Sequence, residues 1–190
     1  MSIILASGSP RRRELLEMLG FTDMKVIPAQ GEERPPEGVG PEALVMALAS
    51  AKGREVAVNA AEDDVVIAAD TIVWFKDRVY GKPHTQERAM AMLRELSGAE
   101  HRVYTGVWVK RGARELCSCE VTAVEFRTLE EREIRAYVAT GEPMDKAGAY
   151  GAQGKGALLV RAIRGDFFNV MGLPLCRLGE MLKEQGVGLL

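Results

Sequence analysis

The chain has 190 residues, 47% of them hydrophobic and 27% charged, which is the composition of a folded globular protein and excludes the disordered and fibrous classes. Its 25 basic and 27 acidic side chains give a net charge of −2, which argues against general nucleic-acid binding. A small anionic ligand needs only a local cluster of positive groups and is compatible with this balance. The length suits one large domain, and we expect a single domain over residues 1–190.

The cysteines and the N-terminal residues bear on where the protein works. The three cysteines are an odd number without metal-site spacing, so we expect reduced side chains. The apolar start at 1–6 runs directly into glycine, serine, proline and three arginines, unlike a signal peptide. No apolar run approaches the roughly 20 residues of a membrane span. We therefore expect a cytoplasmic protein without a membrane partner.

Helix-period and strand-like segments alternate along the chain, which predicts an α/β fold. A short apolar strand at 2–6 leads into a helix that begins at Pro10, with Ser9 as its cap. The buried stripe of this helix is predicted to contain Leu15, Leu16 and Leu19. A second strand near 24–27 runs into a glycine- and proline-rich loop at 30–41, which we expect to become ordered when a ligand binds.

The central part of the chain supplies a long helix and a buried strand. Residues 42–60 are predicted to be helical. Their apolar positions at helical spacing are Leu44, Ala47, Leu48 and Ala51. Residues 65–75 are apolar almost throughout, as a central strand covered on both faces would be, and Asp70 interrupts them. A turn is predicted at 77–78 and a helix at 85–97. Between them, G-K-P at 81–83 is predicted to interrupt regular structure. The apolar face of that helix is predicted to contain Ala89, Met92, Leu93 and Leu96.

The remaining part of the chain alternates in the same way. Two strands, at about 102–110 and 114–126, flank a turn. Thr128 and Glu131 are expected to form a capping box for a helix at 129–139. A glycine-rich irregular stretch, a strand and a final helix complete the chain, at 141–156, at 157–164 and from Leu173 onward.

A candidate anion site lies at residues 7–13, the junction between the first strand and the first helix. The N–H groups at a helix N-terminus attract anions, and arginine side chains bind phosphate oxygens in a bidentate manner. Arg12 precedes Leu15 and Leu16 by three and four residues, which places it on the inward face of the helix. The segment predicts a phosphate site; the alternative is three solvated arginines beside a well-capped helix.

Two charged residues stand in apolar surroundings. An isolated buried carboxylate is costly, so we expect Asp70 to be paired, metal-bound or exposed to a cleft at a strand end. Lys52 lies four residues after Leu48 on the apolar side of its helix, where an ammonium needs a negative partner or a substrate. The alternative for Lys52 is a side chain that extends along the edge of the stripe to reach solvent.

Further polar residues lie in the irregular segments. Glu32 and Glu33 offer the oxygen ligands that Mg²⁺ prefers, or are simply a solvated pair in a loop. Gln153 offers a donor and an acceptor for reading a base edge, in a segment whose glycines allow close approach to a ligand. Weaker candidates are Lys82, Asp145 and Lys146. The two histidines, His84 and His101, show no partner pattern and are assigned no role.

Several segments, taken together and in this order, resemble the Maf family of nucleoside triphosphate pyrophosphatases. They are L-A-S-G-S-P-R-R-R-E-L-L at 5–16, A-A-D-T-I-V at 68–73, G-K-P at 81–83, L-S-G at 96–98, E-P-M-D-K-A-G-A-Y-G-A-Q-G at 142–154 and G-L-P-L at 172–175. The resemblance covers nearly the whole chain. It implies an α/β fold related to the inosine triphosphate pyrophosphatases, with an elongated mixed sheet flanked by helices and two lobes around a deep cleft.

The resemblance also implies hydrolysis of a nucleoside triphosphate between the α- and β-phosphates, giving a monophosphate and pyrophosphate with Mg²⁺ or Mn²⁺. By position, Asp70 matches the catalytic carboxylate of the family, acting as general base and metal ligand, and Glu33 matches a further metal-site acid. Lys52 matches a cation beside the triphosphate, and together with Asp70 and Glu33 it forms the implied catalytic set. The implied substrate-binding positions are Ser7, Ser9, Arg11, Arg12, Lys82, Thr71, Asp145, Lys146 and Gln153.

The segment at 142–154 resembles the branch of the family that hydrolyses dTTP and UTP, sometimes with modified pyrimidine triphosphates. Arg12, Thr71 and Gln153 match its specificity positions. Two alternatives stay open: a 7-methyl-GTP pyrophosphatase of the same family, and a nucleotide-binding regulator of septum formation or cell division without turnover. The resemblance also suggests a homodimer. We expect a small nucleotide as the substrate and no nucleic-acid partner.

Overall fold

The computed structural model describes residues 1–32 and 34–189. Its strands are β1 (Ile3–Leu5), β2 (Lys25–Val26), β3 (Val65–Phe75), β4 (Arg78–Tyr80), β5 (Glu100–Arg111), β6 (Arg114–Phe126) and β7 (Val160–Arg164). Its helices are α1 (Pro10–Met18), α2 (Pro41–Ala57), α3 (Gln86–Leu96), α4 (Glu131–Ala139), α5 (Phe167–Met171) and α6 (Leu175–Glu184). Short 3₁₀ helices between α4 and β7 are Glu142–Asp145, Ala147–Ala149 and Gly154–Leu159. Within the described ranges, none of the helices has the length and apolar character needed to cross a membrane.

The described strands form a mixed sheet in the order β2-β1-β3-β5-β6-β7, with β4 paired to β3. Strand β1 runs parallel to β2 and to β3, with Leu5 opposite Val26 and Ile67. Strands β4 and β7 are antiparallel to β3 and β6. This topology confirms the predicted mixed α/β sheet, and it gives β3 a neighbour on each side, as its apolar sequence indicated.

Backbone contacts divide the chain into two compact units. The first unit comprises Met1–Asp70, Thr105–Glu120 and Gly172–Leu190, and the second comprises Thr71–Tyr104 and Val121–Met171. The first unit has an apolar cluster that includes Ile4, Ala49, Val66 and Trp108. The second unit has its own cluster, which includes Val73, Leu93, Phe126, Ile134 and Tyr150. Each unit therefore buries apolar side chains from both strands and helices.

The predicted apolar faces of α1 and α3 are confirmed, except at the end of α1. All four residues predicted for α3 are buried. In α1, Leu15 and Leu16 are buried, whereas Leu19, just beyond the last helical residue, is half-buried. The spacing of apolar residues predicts the buried faces of these two helices because side chains, and not the backbone, make their packing contacts.

The predicted apolar face of α2 is wrong by a rotation about the helix axis. Ala51 is exposed, and Leu44 and Ala47 are half-buried. The buried residues are Val45, Leu48, Ala49, Gly53, Val56 and Ala57.

Two glycines explain the rotation of α2. A Cβ atom on Gly53 would lie 2.0 Å from the ring of Trp108, and one on Gly106 of β5 would lie 2.3 Å from the carbonyl oxygen of Val45. The helix therefore packs on β5 through glycine and bare backbone, a contact that the spacing of apolar side chains does not report.

Further boundaries differ from the prediction. Helix α2 ends at Ala57 and not at residue 60, and the final helix begins at Leu175 and not at Leu173. The capping box of α4 is formed by Glu130 and Glu133 and not by Thr128 and Glu131, so the helix begins at Glu131. Strand β7 begins at Val160 because the preceding residues form a 3₁₀ helix.

Helix α5 was not predicted from the sequence. Its first turn is held by the Asp166 carboxylate, which accepts a hydrogen bond from the N–H of Phe168 at 2.7 Å. The helix spans only Phe167–Met171, which is too short for a periodic apolar pattern to reveal it.

Candidate active site

Asp70 lies on β3 just beyond the point where β1 ends. The N–H of Ala6, the residue after β1, donates a hydrogen bond to the carbonyl oxygen of Ile67 at 2.8 Å. Strand β3 continues from there to Asp70. The chain that leaves the carboxyl end of β1 therefore starts beside the part of β3 that carries this carboxylate. α/β folds commonly bind ligands at such strand ends.

Lys52 of α2 forms an ion pair with Asp70, its Nζ donating a hydrogen bond to Oδ1. The two side chains are 21% and 11% exposed, so the pair is mostly shielded from solvent. The close packing of α2 on β5 at Gly53, the residue after Lys52, brings the ammonium to the sheet. The structure confirms that Asp70 is paired and that Lys52 has a negative partner. A carboxylate in this setting can hold a water molecule, a proton or a metal ion.

The junction between β1 and α1 is organised around the hydroxyl of Ser7. This oxygen accepts hydrogen bonds from the backbone N–H of Ser9 at 3.2 Å and from Nη1 of Arg12 at 3.1 Å. The Nε of Arg12 donates to the carbonyl oxygen of Gly172 at 2.7 Å. Arg12 is thus turned inward, as its spacing from the leucines of α1 predicted.

The predicted cap of α1 is only half correct. Ser9 occupies the N-cap position and Pro10 the first helical position, but the side chain of Ser9 makes no capping hydrogen bond. The turn is held instead by Ser7, which binds the N–H of Ser9 itself. Of the two other arginines of the segment, Arg13 pairs with Glu17 on the exposed surface, and Arg11 is half-buried.

The other predicted binding residues belong to the second unit. Thr71 follows Asp70 on β3, and Lys82 is exposed after β4. Asp145, Lys146 and Gln153 lie in and between the 3₁₀ helices. The Nζ of Lys146 donates to the carbonyl oxygen of Glu142 at 2.6 Å and to Asp145 Oδ1 at 2.7 Å, so the ammonium is fixed.

A backbone hydrogen bond joins two of the predicted binding segments of the second unit. The N–H of Gly148 bonds to the carbonyl oxygen of Gly81 at 3.2 Å, next to Lys82. Gly148 has φ +69, and a Cβ atom there would lie 2.9 Å from Val73. This position therefore favours glycine, because a side chain would be strained by the backbone angle and crowded by β3.

Glu33, predicted as a metal-site acid, lies outside the described residues. The chain just before it is anchored to α2: the carboxylate of Glu55 accepts hydrogen bonds from the N–H groups of Gln30 at 2.6 Å and Gly31 at 3.1 Å. Glu32 pairs with Arg34 on the exposed surface.

The donor set around Asp70 can be tested against the metal that the sequence implied. In residues 1–32 and 34–189, no group of three His, Cys, Asp or Glu side chains is placed to hold a metal ion by itself. Mg²⁺ in phosphate chemistry commonly takes one or two carboxylates and completes its shell with substrate phosphates and water. Asp70 fits that requirement, because it offers a carboxylate oxygen to a metal that arrives with a polyphosphate.

The sequence reasoning missed one partner of Arg12, the carbonyl oxygen of Gly172. Gly172 is 160 residues from Arg12 in the chain, and its contact is made by a backbone carbonyl. The available signal was the G-L-P-L segment at 172–175, which carried the family resemblance but no assigned role.

Comparison with known proteins extends over both units. A model of the family described as Maf-like protein matches residues 2–185. The chain is 49% identical over 190 residues to the dTTP/UTP pyrophosphatase of Pelotomaculum thermopropionicum, covering 99% of this chain and 98% of that protein. It is 51% identical to the protein of the same name from Moorella thermoacetica, covering 97% and 95% of the two chains. The relative from Methanosarcina mazei, named likewise, is 46% identical over 97% of this chain and 94% of its own.

Proposed function

The chain belongs to the Maf-like protein family, and we propose that it is a pyrophosphatase that hydrolyses dTTP and UTP between the α- and β-phosphates. The products are the nucleoside monophosphate and pyrophosphate. The observation that carries the proposal is the shielded ion pair of Asp70 with Lys52 beside the end of β1. It is supported by relatives named for this activity that match nearly the whole chain.

Asp70 acts as the general base in this proposal. Its carboxylate orients a water molecule and takes one of its protons while the water oxygen bonds to phosphorus. The anhydride bond between the α- and β-phosphates breaks, and pyrophosphate leaves with the electron pair of that bond. Lys52 holds the carboxylate in place through their ion pair, and its positive charge offsets the negative charge that develops on the phosphoryl oxygens.

The triphosphate is bound by positive groups that the fold has already oriented. Two hydrogen bonds, to Ser7 and Gly172, fix the guanidinium of Arg12, so little side-chain entropy is lost when a phosphate binds. The N-terminus of α1, with Ser9 and Arg11, adds the partial positive charge of a helix start.

By the family resemblance, the proposal assigns further substrate contacts to Lys82, Lys146, Thr71 and Gln153. Lys82 and Lys146 bind phosphate oxygens, and Asp145 holds the ammonium of Lys146 in place. Thr71 and Gln153, which match specificity positions of the family, contact the base in this proposal. A hydroxyl and an amide can both donate and accept the hydrogen bonds that this needs.

A divalent cation, Mg²⁺ or Mn²⁺, completes the proposed site. Asp70 and Glu33 would hold it together with the phosphates of the substrate. When bound, such an ion neutralises charge on the phosphoryl oxygens and makes a coordinated water more acidic. Removal of divalent ions with a chelator is therefore expected to abolish turnover, and addition of Mg²⁺ or Mn²⁺ to restore it.

We also place the reaction in the cytoplasm. Cys117, Cys119 and Cys176 are thiols without a disulfide, which suits a reducing compartment. A homodimer stays a prediction, which the mass in solution by light scattering would test.

The test is pyrophosphate release from dTTP, UTP, CTP, dATP, GTP and 7-methyl-GTP with Mg²⁺ or Mn²⁺, run in parallel on the Asp70→Asn protein. A matched control is Asp77→Asn, the same chemical change at an exposed turn. Release from dTTP and UTP that Asp70→Asn loses and Asp77→Asn keeps would support the proposal. Release from 7-methyl-GTP alone would reassign the substrate, and tight nucleotide binding without release would favour a regulatory role.

A further inference from the structure

One hydrogen-bonded pair of side chains holds the start and the end of the segment 151–156, which contains Gln153. Tyr137 belongs to α4, and Glu142 begins the first 3₁₀ helix. The hydroxyl of Tyr137 donates to Oε1 of Glu142 at 2.9 Å. Before Gln153, the same hydroxyl accepts the N–H of Gly151 at 3.1 Å.

After Gln153, the carboxylate of Glu142 holds the backbone. Its Oε2 accepts the N–H of Lys155 at 3.0 Å, and its Oε1 accepts the N–H of Gly156 at 3.0 Å. The backbone is therefore fixed two residues before Gln153 and two and three residues after it, by two side chains that are bonded to each other.

Glycines allow the backbone to come this close to the pair. A Cβ atom on Gly156 would lie 2.6 Å from the hydroxyl of Tyr137 and 2.2 Å from the carbonyl oxygen of Gly151. Gly154 has φ +77, and a Cβ atom there would lie 3.0 Å from Oε2 of Glu142. The segment is thus folded tightly around Tyr137 and Glu142, with Gln153 at its turn.

The protonation states of the pair suit these bonds at neutral pH. Tyr137 is 5% exposed, and burial raises the pKa of its hydroxyl, which stays a donor. Burial also raises the pKa of Glu142, but the N–H of Gly156 and the hydroxyl of Tyr137 outweigh that effect, and the net pKa is lowered. Glu142 is therefore an ionised carboxylate, which can only accept hydrogen bonds.

We propose that Tyr137 and Glu142 are positioning residues for base selection, because they fix the backbone that presents the amide of Gln153 to a pyrimidine base. This inference rests on the proposed function, in which Gln153 contacts the base. An amide distinguishes two bases only if its donor and acceptor are held in one arrangement. A loosened segment lets the amide adapt to the wrong base and costs ordering entropy when the correct base binds.

The two residues act through Gln153 and not on the phosphates. Lys146, assigned to the phosphates, donates hydrogen bonds to the backbone carbonyl of Glu142 and to Asp145, and neither bond uses the Glu142 side chain. Weaker binding of the correct nucleotide and poorer base discrimination are therefore expected, with the hydrolytic step little changed.

The experiment compares Tyr137→Phe, Glu142→Gln and Gln153→Ala with the wild-type protein and with Glu87→Gln. Tyr137→Phe keeps the buried ring but removes the hydroxyl, and Glu142→Gln keeps the shape but replaces one acceptor by a donor. Glu87 is an exposed glutamate at the start of α3 and serves as the matched control. Measurements are kcat and KM for UTP and CTP, and inhibition by tripolyphosphate, which has no base.

We expect the ratio of kcat/KM for UTP over CTP to fall about tenfold in Tyr137→Phe and Glu142→Gln, mostly through KM for UTP. Inhibition by tripolyphosphate should stay within about twofold of the wild-type value, since phosphate binding is unaffected. Glu87→Gln should match the wild-type protein in every measurement.

The outcomes separate this inference from the proposed function. If the wild-type protein releases no pyrophosphate from either nucleotide, the proposed function fails, and the inference fails with it. If Gln153→Ala lowers the ratio but Tyr137→Phe and Glu142→Gln keep it, only the positioning role is wrong. Equal losses on both nucleotides with weakened tripolyphosphate inhibition would also overturn that role, because they would show a general loosening of the unit.

Discussion

Lys52 and Asp70 are 18 residues apart in the chain, yet they meet as an ion pair within the first unit. The pair explains how a carboxylate is tolerated within the apolar strand β3. Removing one partner of a shielded pair leaves the other charge uncompensated, which is costly. The same pairing keeps a base and a cation together where phosphate chemistry needs both, so one contact serves the fold and the proposed reaction.

The first prediction concerns the base. Replacing Asp70 by Asn keeps the shape of the side chain but replaces one acceptor oxygen by a donor and removes the proton acceptor. We expect kcat for UTP to fall by roughly 10² to 10⁴, the range for loss of a general base. Steady-state pyrophosphate release measures this loss, and circular dichroism checks that the variant is folded. Near-normal turnover by a folded Asp70→Asn protein would remove Asp70 from the mechanism.

The second prediction concerns Arg12, whose Nε and Nη1 each make a hydrogen bond within the first unit. Arg12→Lys keeps the charge but loses the planar fork that bonds Gly172 and Ser7. We expect KM for UTP to rise about tenfold or more, with a smaller change in kcat, because a bond to a charged group contributes about 1.5–3 kcal/mol. Arg13→Lys, on the exposed surface, is the matched control. Equal KM values in the two variants would show that the guanidinium of Arg12 needs no fixed orientation.

The third prediction concerns base recognition. Gln153→Ala removes an amide that can donate to and accept from a base edge. We expect the preference for UTP over GTP to weaken more than the turnover rate, measured as the ratio of kcat/KM for the two nucleotides. An unchanged ratio would contradict a role for Gln153 in reading the base.

Structural features that depend on residues close together in the chain could be predicted from the sequence. The bounds of β3 at 65–75 are as predicted, because a long apolar run between polar turns defines them locally. The inward position of Arg12 followed from its spacing to Leu15 and Leu16 and is confirmed by its bond to Gly172. In each case the deciding information lies within one helix or strand.

Contacts between distant segments could not be predicted in this way. The orientation of α2 depends on Gly53 meeting Trp108, and a glycine has no side chain to signal a buried face. Glu142 acts on the backbone N–H groups of Lys155 and Gly156, which any sequence would contain. Such contacts depend on the completed fold, and they are the ones that orient the candidate site.

The fourth prediction tests the packing that brings Lys52 to Asp70. A Cβ atom on Gly106 would lie 2.3 Å from the carbonyl oxygen of Val45 and 2.8 Å from the nitrogen of Met46, both backbone atoms. Gly106→Ala should therefore lower the free energy of unfolding by about 1–3 kcal/mol or more and reduce turnover, since α2 must shift. Urea titration measures the stability. Gly188→Ala is the control, because among the described residues no atom beyond its chain neighbours lies within 4 Å of its Cβ position. Equal stability of the two variants would contradict this packing.

The last prediction concerns pH and His101, which is 2% exposed and lies against the rings of Phe126 and Tyr150. Its Nε2 is 2.8 Å from the hydroxyl of Tyr150. Burial lowers the pKa of His101 from 6.5 to about 4, so the folded protein keeps the ring neutral at a pH where the unfolded chain protonates it. The contribution of His101 to the free energy of unfolding is therefore complete above pH 6.5. It is lost, by about 3 kcal/mol in total, as the pH falls toward 4.

Urea titrations at pH 7 and pH 5 isolate this effect. Most carboxyl groups whose pKa is lowered in the folded protein lose their contribution to stability only at lower pH. Between these two values the wild-type protein should lose about 2 kcal/mol through His101. His101→Gln keeps a polar side chain but cannot titrate, so its loss should be smaller by that amount. His84→Gln, at the exposed histidine, should behave as the wild-type protein. An identical pH dependence in all three proteins would mean that His101 is protonated as readily in the folded chain as in the unfolded one.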